Sequence, residues 1–246
     1  MKKRLDELLV EKNLIESRNK AQGIILSGLV YVNNQKIDKP GKRFSDDVEI
    51  LVKSLPKFVS RGGLKLEHAI KNFKINVKDK ICMDIGASTG GFTDCLLQFG
   101  AKKVYSIDVG YGQLHYSLRN NPKVINIERC NFRYIERDKI KDKIDICTID
   151  VSFISLKLII PKCIEFLKDR GSIIALIKPQ FEAGKNEVEK GGIIKSPEKH
   201  KKILNNLKEF FINTRLKIEG LIESPILGQK GNKEFLIYLK IGAKSE

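Results

Sequence analysis

Two patterns of apolar positions divide the chain. In the first 55 or so residues, apolar side chains recur at helical spacing in two segments, and short alternating segments follow them. Ser17 is a good N-cap for the second helix, and Asn33-Asn34 suits a tight hairpin turn because asparagine tolerates a positive φ. The pattern predicts a small α+β unit. Its predicted elements are helices over 4–15 and 18–27 and strands over 29–32 and 48–52.

From about residue 80 onward, strand-like apolar runs alternate with segments long enough for helices. This alternation is typical of a Rossmann-like, doubly wound parallel sheet, so the fold class predicted is α/β with a small N-terminal α+β domain. The expected domains are residues 1–60, including a linker, and residues 61–246. The predicted strands cover 80–85, 103–109, 124–127, 144–150 and 172–177, a helix covers 201–211, and an antiparallel pair covers 216–222 and 235–241.

Composition and charge narrow the classes of function. The chain has 246 residues, of which 41% are hydrophobic, which excludes disorder as its main state. Its net charge of +16 favours a polyanionic partner, either a nucleic acid or an anionic membrane surface, over a merely solvated lysine-rich surface. The basic side chains expected to contact RNA are Arg4, Arg18, Lys20 and Arg61.

The cysteines and the apolar runs bear on where the protein works. Five cysteines lie at wide, irregular spacing without a C-x-x-C pair, so neither a zinc site, nor any other metal site, nor a disulfide framework is expected. No run approaches the length of a membrane-spanning helix, and charged residues interrupt the N-terminus where a signal peptide would be apolar. We therefore expect a cytoplasmic protein without integral membrane insertion.

A glycine-rich segment follows the first predicted strand of the larger domain. Its spacing is G-x-x-x-G-G, which favours a nucleoside ligand smaller than a dinucleotide, held by backbone N–H groups at a helix N-terminus. Asp108 follows the second strand, where an acid accepts both ribose hydroxyls. These features indicate S-adenosylmethionine, and the alternative is a structural turn without a ligand. The cofactor-binding candidates are Asp84, Gly86, Ala87, Ser88, Thr89, Gly90, Gly91, Phe92, Asp108, Val109, Asn131 and Asp150.

Polar residues also stand where further strands meet loops. Asp150 and Lys178 follow parallel strands, and Glu234 precedes a strand inferred to be antiparallel, so all three are expected at the same edge of the sheet. Lys65 lies just before the sheet, from where it reaches the same edge. Taken singly each is an ordinary polar residue at a strand end, but the combination favours a catalytic cluster.

Six segments from residue 60 onward carry a family resemblance: Ser60-Arg-Gly-Gly-Leu-Lys65, Asp84-Ile-Gly-Ala-Ser-Thr-Gly-Gly-Phe-Thr-Asp94, Ile107-Asp-Val-Gly-Tyr-Gly-Gln113, Ile149-Asp-Val-Ser-Phe-Ile-Ser155, Lys178-Pro-Gln-Phe181 and Gly231-Asn-Lys-Glu-Phe235. Together they resemble the TlyA family of haemolysin-named ribosomal RNA 2′-O-methyltransferases. Residues 1–55 resemble the RNA-binding domain of ribosomal protein S4, and the remainder resembles the FtsJ (RrmJ) methyltransferases. The resemblance implies methylation of cytidine riboses in ribosomal RNA or ribosomal subunits, with a catalytic tetrad at Lys65, Asp150, Lys178 and Glu234.

The role of Lys178 stays open at the level of sequence. The reaction needs in-line alignment and the removal of one proton. Desolvation, Lys65 and the sulfonium favour a neutral Lys178 acting as base, whereas Asp150 and Glu234 favour a charged Lys178 that orients the hydroxyl. The alternative functions are a membrane-active haemolysin, a noncatalytic RNA-binding ribosome-assembly factor and a base methyltransferase.

Overall fold

The computed structural model describes residues 2–53, 56–184, 188 and 191–242. The chain divides into two compact units, Met1–Pro56 and Lys57–Glu246. The first contains β1 (Lys3–Arg4), α1 (Leu5–Glu11), α2 (Arg18–Leu26), β2 (Val30–Val32), β3 (Gln35–Ile37), β4 (Arg43–Phe44) and β5 (Ile50–Val52). The second contains α3 (Gly62–Asn72), β6 (Ile81–Ile85), α4 (Gly91–Gln98), β7 (Lys103–Ile107), α5 (Tyr116–Arg119), β8 (Val124–Ile127), β9 (Ile144–Ile149), α6 (Leu156–Phe166), β10 (Leu167–Ile177), α7 (Pro179–Glu182), α8 (Pro197–Ile212), β11 (Leu216–Glu223) and β12 (Phe235–Ile241).

The smaller unit packs two helices on a three-stranded sheet ordered β3-β2-β5. Asn33 and Asn34 have φ values of 48° and 62°, which confirms the hairpin turn between β2 and β3. The Ser17 side chain accepts a hydrogen bond from the Lys20 N–H, which confirms the predicted N-cap of α2. The buried core of this unit consists of Leu5, Leu9, Ala21, Ile25, Val30, Val32 and Ile37.

The first helix is shorter than predicted. Residues 4–15 have helical spacing, but α1 ends at Glu11 because Asn13 adopts a left-handed φ of 54°. The N–H groups of Leu14 and Ile15 both donate to the Leu9 carbonyl there, which satisfies a free acceptor at the helix end. The pairing of β1 with β4 adds a two-stranded ribbon that the pattern did not predict.

The larger unit is built on a seven-stranded sheet ordered β11-β12-β10-β9-β6-β7-β8. Strand β12 pairs antiparallel with both of its neighbours, and the pairs from β10 to β8 are parallel. This confirms a doubly wound methyltransferase-like sheet. Strand β10 begins at Leu167, earlier than predicted, and its register with β9 shifts between Leu167 and Ser172. Helix α8 likewise begins at Pro197, before the predicted start.

Each face of this sheet carries its own hydrophobic cluster. Side chains alternate between the two sides of β6, so Met83 packs against the cluster that includes α6 and α8, and Cys82 against the one that includes α3 and α4. The pairing register aligns the ends of four strands. Ile85 of β6 and Ala175 of β10 both pair with Ile149 of β9, and Ile177 of β10 pairs with Phe235 of β12. The residues that follow β6, β9 and β10 and precede β12 therefore share one edge of the sheet.

Candidate active site

A cavity of about 700 Å³ opens at this edge of the sheet. It is bounded by the turn after β6, the loops after β9 and β10, the loop before β12 and the first turn of α3. Four ionisable residues that the sequence singles out all line it: Lys65, Asp150, Lys178 and Glu234.

Lys178 and Asp150 form one ion pair in the cavity wall. The Lys178 Nζ lies 2.7 Å from Asp150 Oδ1 and donates a hydrogen bond of 2.9 Å to the Ser152 hydroxyl. The Asp150 Oδ1 is buried beneath this contact and accepts no further hydrogen bond from a described residue. The pair therefore places a carboxylate and an ammonium group side by side in the cavity wall.

Lys65 and Glu234 form a second, more buried ion pair. The Lys65 Nζ lies 2.5 Å from Glu234 Oε2, and the two side chains are only 11% and 4% exposed. Lys65 reaches this position from α3, where Gly63 allows close packing because a Cβ there would lie 2.3 Å from the Phe58 ring. The pair is largely withdrawn from solvent, so each charge depends on the other for compensation.

Glycine backbone forms the floor beside these pairs. Gly86 has a φ of +80°, and a Cβ on it would lie 2.6 Å from the Asp150 carbonyl oxygen. Gly90 also has a left-handed φ and caps the start of α4. Only glycine fits these approaches, and the resulting cradle at a helix N-terminus suits the polar end of a nucleoside cofactor.

Asp108 supports the turn through hydrogen bonds. Its Oδ2 accepts from the Ser88 N–H at 2.8 Å, and its Oδ1 accepts from the Gly110 N–H at 2.7 Å. Asp108 and Val109 do not line the cavity. The exposed Asn131 also lies outside it and accepts a hydrogen bond from the Arg133 N–H. The predicted contacts of these residues with a cofactor stay predictions.

Asp84 lies beneath the turn, with no exposed surface. Its two oxygens accept hydrogen bonds from the Thr93 hydroxyl at 2.7 Å and the Thr148 hydroxyl at 3.0 Å. Burial raises the pKa of this carboxyl to about 7. The structure therefore places Asp84 between β6, α4 and β9, where it holds the three elements together away from the cavity surface.

Most of the other residues predicted in this turn line the cavity, and Gly90 does not. Those that line it are Gly86, Ala87, Ser88, Thr89, Gly91 and Phe92.

Phe153 is a cavity residue that sequence reasoning did not select. Its side chain is 90% exposed, its φ is 63°, and its ring centroid lies 4.9 Å from that of Phe181. A left-handed conformation is costly for such a residue. The signal in the sequence is an aromatic residue directly after the polar strand end Asp150-Val-Ser, where packing does not require one.

The basic residues expected to bind RNA have polar partners of their own. In the smaller unit, Arg4 and Arg18 donate to the buried Asp6 at 2.9 Å and 3.1 Å, which lowers the pKa of that carboxyl, and Lys20 pairs with Glu16. In the larger unit, Arg61 lines the cavity and donates to the Leu227 carbonyl. All four residues are at least partly exposed, so these contacts orient the side chains without burying them.

No helix in the described residues is long and apolar enough to cross a membrane.

Comparison with known proteins adds two family matches. Residues 58–241 match the FtsJ-like methyltransferases, and residues 3–50 match the S4 domain.

Individual relatives match almost the whole chain. YqxC of Bacillus subtilis, named as an rRNA methyltransferase, is 50% identical over 97% of this chain and 85% of its own length. The 16S/23S rRNA (cytidine-2′-O)-methyltransferase TlyA of Mycobacterium tuberculosis is 37% identical over 96% of this chain and 89% of its own. A solved structure of a hemolysin-named protein from Streptococcus thermophilus is 43% identical, covers 98% of this chain and 89% of its own, and superposes with a TM-score of 0.76.

Proposed function

Since the chain belongs to the TlyA family of FtsJ-like methyltransferases, which use S-adenosylmethionine, we propose that it methylates the 2′-hydroxyl of cytidine in ribosomal RNA. The observation that carries this proposal is the convergence of two lysine–carboxylate pairs and a glycine cradle on one cavity. A noncatalytic RNA-binding protein would have no use for that convergence.

The cradle accounts for cofactor binding. Bound S-adenosylmethionine supplies an electrophilic methyl group that a nucleophilic oxygen attacks in line. The close backbone approach at Gly86 and the N-terminal end of α4 would hold its amino acid end, and Asp108 would meet its ribose with the acceptor capacity that its two backbone hydrogen bonds leave. Asp150 also lines the cavity, where its negative charge would attract a cationic ligand.

Lys178 and Asp150 would handle the nucleophile. The carboxylate 2.7 Å from the Lys178 Nζ favours the charged lysine of the two roles left open by the sequence. As an ammonium, Lys178 orients the 2′-hydroxyl by donating to its oxygen, and the hydroxyl proton passes to the Asp150 carboxylate beside it. The oxygen is thereby aligned and loses its proton as it bonds to the methyl carbon, whose bond to the cofactor's sulfur would break with the electron pair staying on sulfur.

The Lys65–Glu234 pair would position this machinery. Its burial keeps the wall of the cavity rigid and poorly hydrated, which strengthens the electrostatic interactions beside it. Phe153 would provide a platform for the base of the target nucleotide, because an exposed ring stacks on a base that has left its helix.

The smaller unit would hold the RNA. Its S4 match and its exposed basic side chains suit contacts to phosphates, which position a protein without reading sequence. The partner is accordingly ribosomal RNA or a ribosomal subunit, and the place of action is the cytoplasm, where ribosomes are assembled.

Methyl transfer to ribosomal subunits tests this proposal. Purified protein, labelled S-adenosylmethionine and subunits from a strain lacking the gene should give label in RNA. Nuclease digestion and mass spectrometry should then identify the product as 2′-O-methylcytidine. Label on a base, or leakage of anionic liposomes in the absence of any methyl donor, would favour one of the alternative functions.

A further inference from the structure

A second cavity, of about 510 Å³, lies at the opposite edge of the same sheet. Its wall includes residues at the amino ends of the parallel strands and at the end of antiparallel β12, so it is separated from the catalytic cavity by the length of the strands. We propose that this cavity binds a phosphate ester, and that its source is the backbone of the RNA substrate.

The charges in the cavity favour an anion. Its four cations are Lys74, Lys80, Arg170 and Lys240, and its two acids are Asp145 and Glu219.

Both acids already have cationic partners. Asp145 accepts from Lys168 at 2.8 Å and from the Ile81 N–H at 2.9 Å. Glu219 lies 3.2 Å from the Lys217 Nζ and 3.9 Å from the Lys240 Nζ. Burial raises the pKa of Asp145, but the hydrogen bonds from Lys168 and the Ile81 N–H and the charges of Lys168 and Lys80 outweigh it, so the pKa is lowered.

Three of the cations are left without a carboxylate. Lys74, Lys80 and Arg170 form no ion pair within 4.0 Å among the residues the structure describes. Neutral donors stand beside them: the Ser172 hydroxyl and the Asn76 side-chain amide nitrogen, neither of which donates a hydrogen bond within that same set. Unused donors around a concave surface are the chemistry that binds a phosphate.

Irregular backbone presents these groups to the cavity. Arg170 lies in the stretch where β10 shifts register against β9, and Glu219 lies where β11 shifts register against β12. Lys74 has a left-handed φ of 53°. Bulges of this kind re-aim side chains and occur next to functional sites. Two register shifts and one residue with a left-handed φ thus surround a single cavity. Their coincidence favours a specific binding site over an incidental groove.

The aromatic residues of the wall argue for phosphate and against a stacked base. Phe73 stacks on Tyr238 with ring centroids 5.5 Å apart, and Tyr238 is buried. Gly220 permits this packing, because a Cβ there would lie 2.4 Å from the Phe73 ring. The rings therefore form a fixed floor and leave recognition to the charged donors. An RNA source agrees with the net charge of +16 and with the proposed function, on which this part of the inference rests.

The test compares two triple variants that remove the same charge. One carries Lys74→Gln, Lys80→Gln and Arg170→Gln. The control carries Lys123→Gln, Arg137→Gln and Lys139→Gln, which change exposed residues outside the cavity that have no ion pair in the described part of the chain. Affinity for the substrate RNA is measured over a salt titration, and affinities for S-adenosylmethionine and for ADP are measured by calorimetry. Thermal melting establishes that both variants are folded.

We expect the cavity variant to bind RNA about tenfold more weakly than the wild type at 0.1 M salt and to show a salt slope smaller by about 2, since each lost phosphate contact reduces that slope by about 0.7 to 0.9. The control should change affinity less than twofold, and neither variant should alter cofactor affinity.

The other outcomes separate the possible errors. Equal losses of RNA affinity in both variants would overturn the site in favour of general charge attraction. Loss of ADP binding with unchanged RNA affinity would place a free phosphate ester in the cavity and overturn the RNA source. No effect on either ligand would refute the site. Absence of methyl transfer by a wild-type protein that still shows the predicted RNA-binding difference would contradict the proposed function alone.

Discussion

Lys178 and Asp150 meet because Ala175 of β10 pairs in register with Ile149 of β9, so the residues after the two strands stand side by side. A single residue of slippage would send the two side chains to different faces. The ion pair thus depends on strand register as much as on the two residues that form it.

Replacing either partner should abolish methyl transfer. We expect Lys178→Ala and Asp150→Ala each to lower the rate by at least about 10²-fold, the usual contribution of a positioned proton-transfer group. Cofactor affinity should fall far less in Lys178→Ala, because the glycine cradle remains. Lys143→Ala, an exposed lysine beside the start of β9, is the control. Turnover like that of the wild type in either variant, measured by label transfer at saturating RNA, would refute the assignment.

The buried Lys65–Glu234 pair predicts a stability effect. Lys65→Met leaves Glu234 charged in a site with little water, so unfolding free energy should fall by about 3 kcal/mol. The double variant Lys65→Met, Glu234→Leu removes both charges and should recover most of that loss while staying inactive. Urea unfolding measures both. A double variant no more stable than Lys65→Met would show that the two residues do not act as a pair.

At the scale of elements, the turn between β6 and α4 depends on close backbone contact. Gly86→Ala places a Cβ 2.6 Å from the Asp150 carbonyl oxygen, so we expect at least a tenfold loss of S-adenosylmethionine affinity by calorimetry. Gly112→Ala is a matched control, because Gly112 also has a positive φ but a Cβ there meets nothing within 4 Å. Equal effects in the two variants would assign the loss to backbone strain alone.

Asp84 joins three elements and gives the larger unit a pH dependence. Its unfolded pKa is near 3.8, and burial raises the folded value to about 7. The folded state therefore holds a proton that the unfolded state releases, and this stabilisation is complete below about pH 4 and lost as pH rises through 7. The isosteric variant Asp84→Asn has no ionisable group at this position, so it does not lose this stability as the pH rises. Between pH 5 and pH 8 its stability relative to the wild type should rise by roughly 3 kcal/mol, because the wild type loses about 1.4 kcal/mol per pH unit over the roughly two units from pH 5 to the folded pKa. A constant difference in urea unfolding would show that Asp84 is ionised when folded.

Helices and strands with several apolar positions could be predicted from the sequence, whereas elements with too few apolar positions could not. The strand over 124–127 and the closing antiparallel pair follow from apolar positions that recur along each segment. The ribbon of β1 with β4 has two residues per strand, too few for any periodicity. The catalytic cluster could be inferred because parallel strands bring their ends together, but the pairing of Lys65 with Glu234 depends on the packing of α3 over Phe58, which no local pattern encodes. Phe153 was missed because its exposure follows from a left-handed backbone conformation.

At the scale of the whole molecule, the charge and the two compact units indicate that RNA binding and catalysis are separate tasks. The catalytic cavity lies within the larger unit, and the smaller unit has its own core. Deleting residues 1–55 should therefore weaken RNA binding by at least tenfold and flatten its salt dependence, with cofactor affinity changed less than threefold. Unchanged RNA affinity across a salt titration would remove the smaller unit from RNA recognition.

The central claim is that the larger unit transfers a methyl group to a ribose oxygen of ribosomal RNA. Its most direct test is mass spectrometry of nucleosides from subunits treated with the wild-type protein or with Lys178→Ala. The account predicts 2′-O-methylcytidine with the wild type and none above background with the variant. Methylation of a base, or equal amounts of product with both proteins, would contradict it.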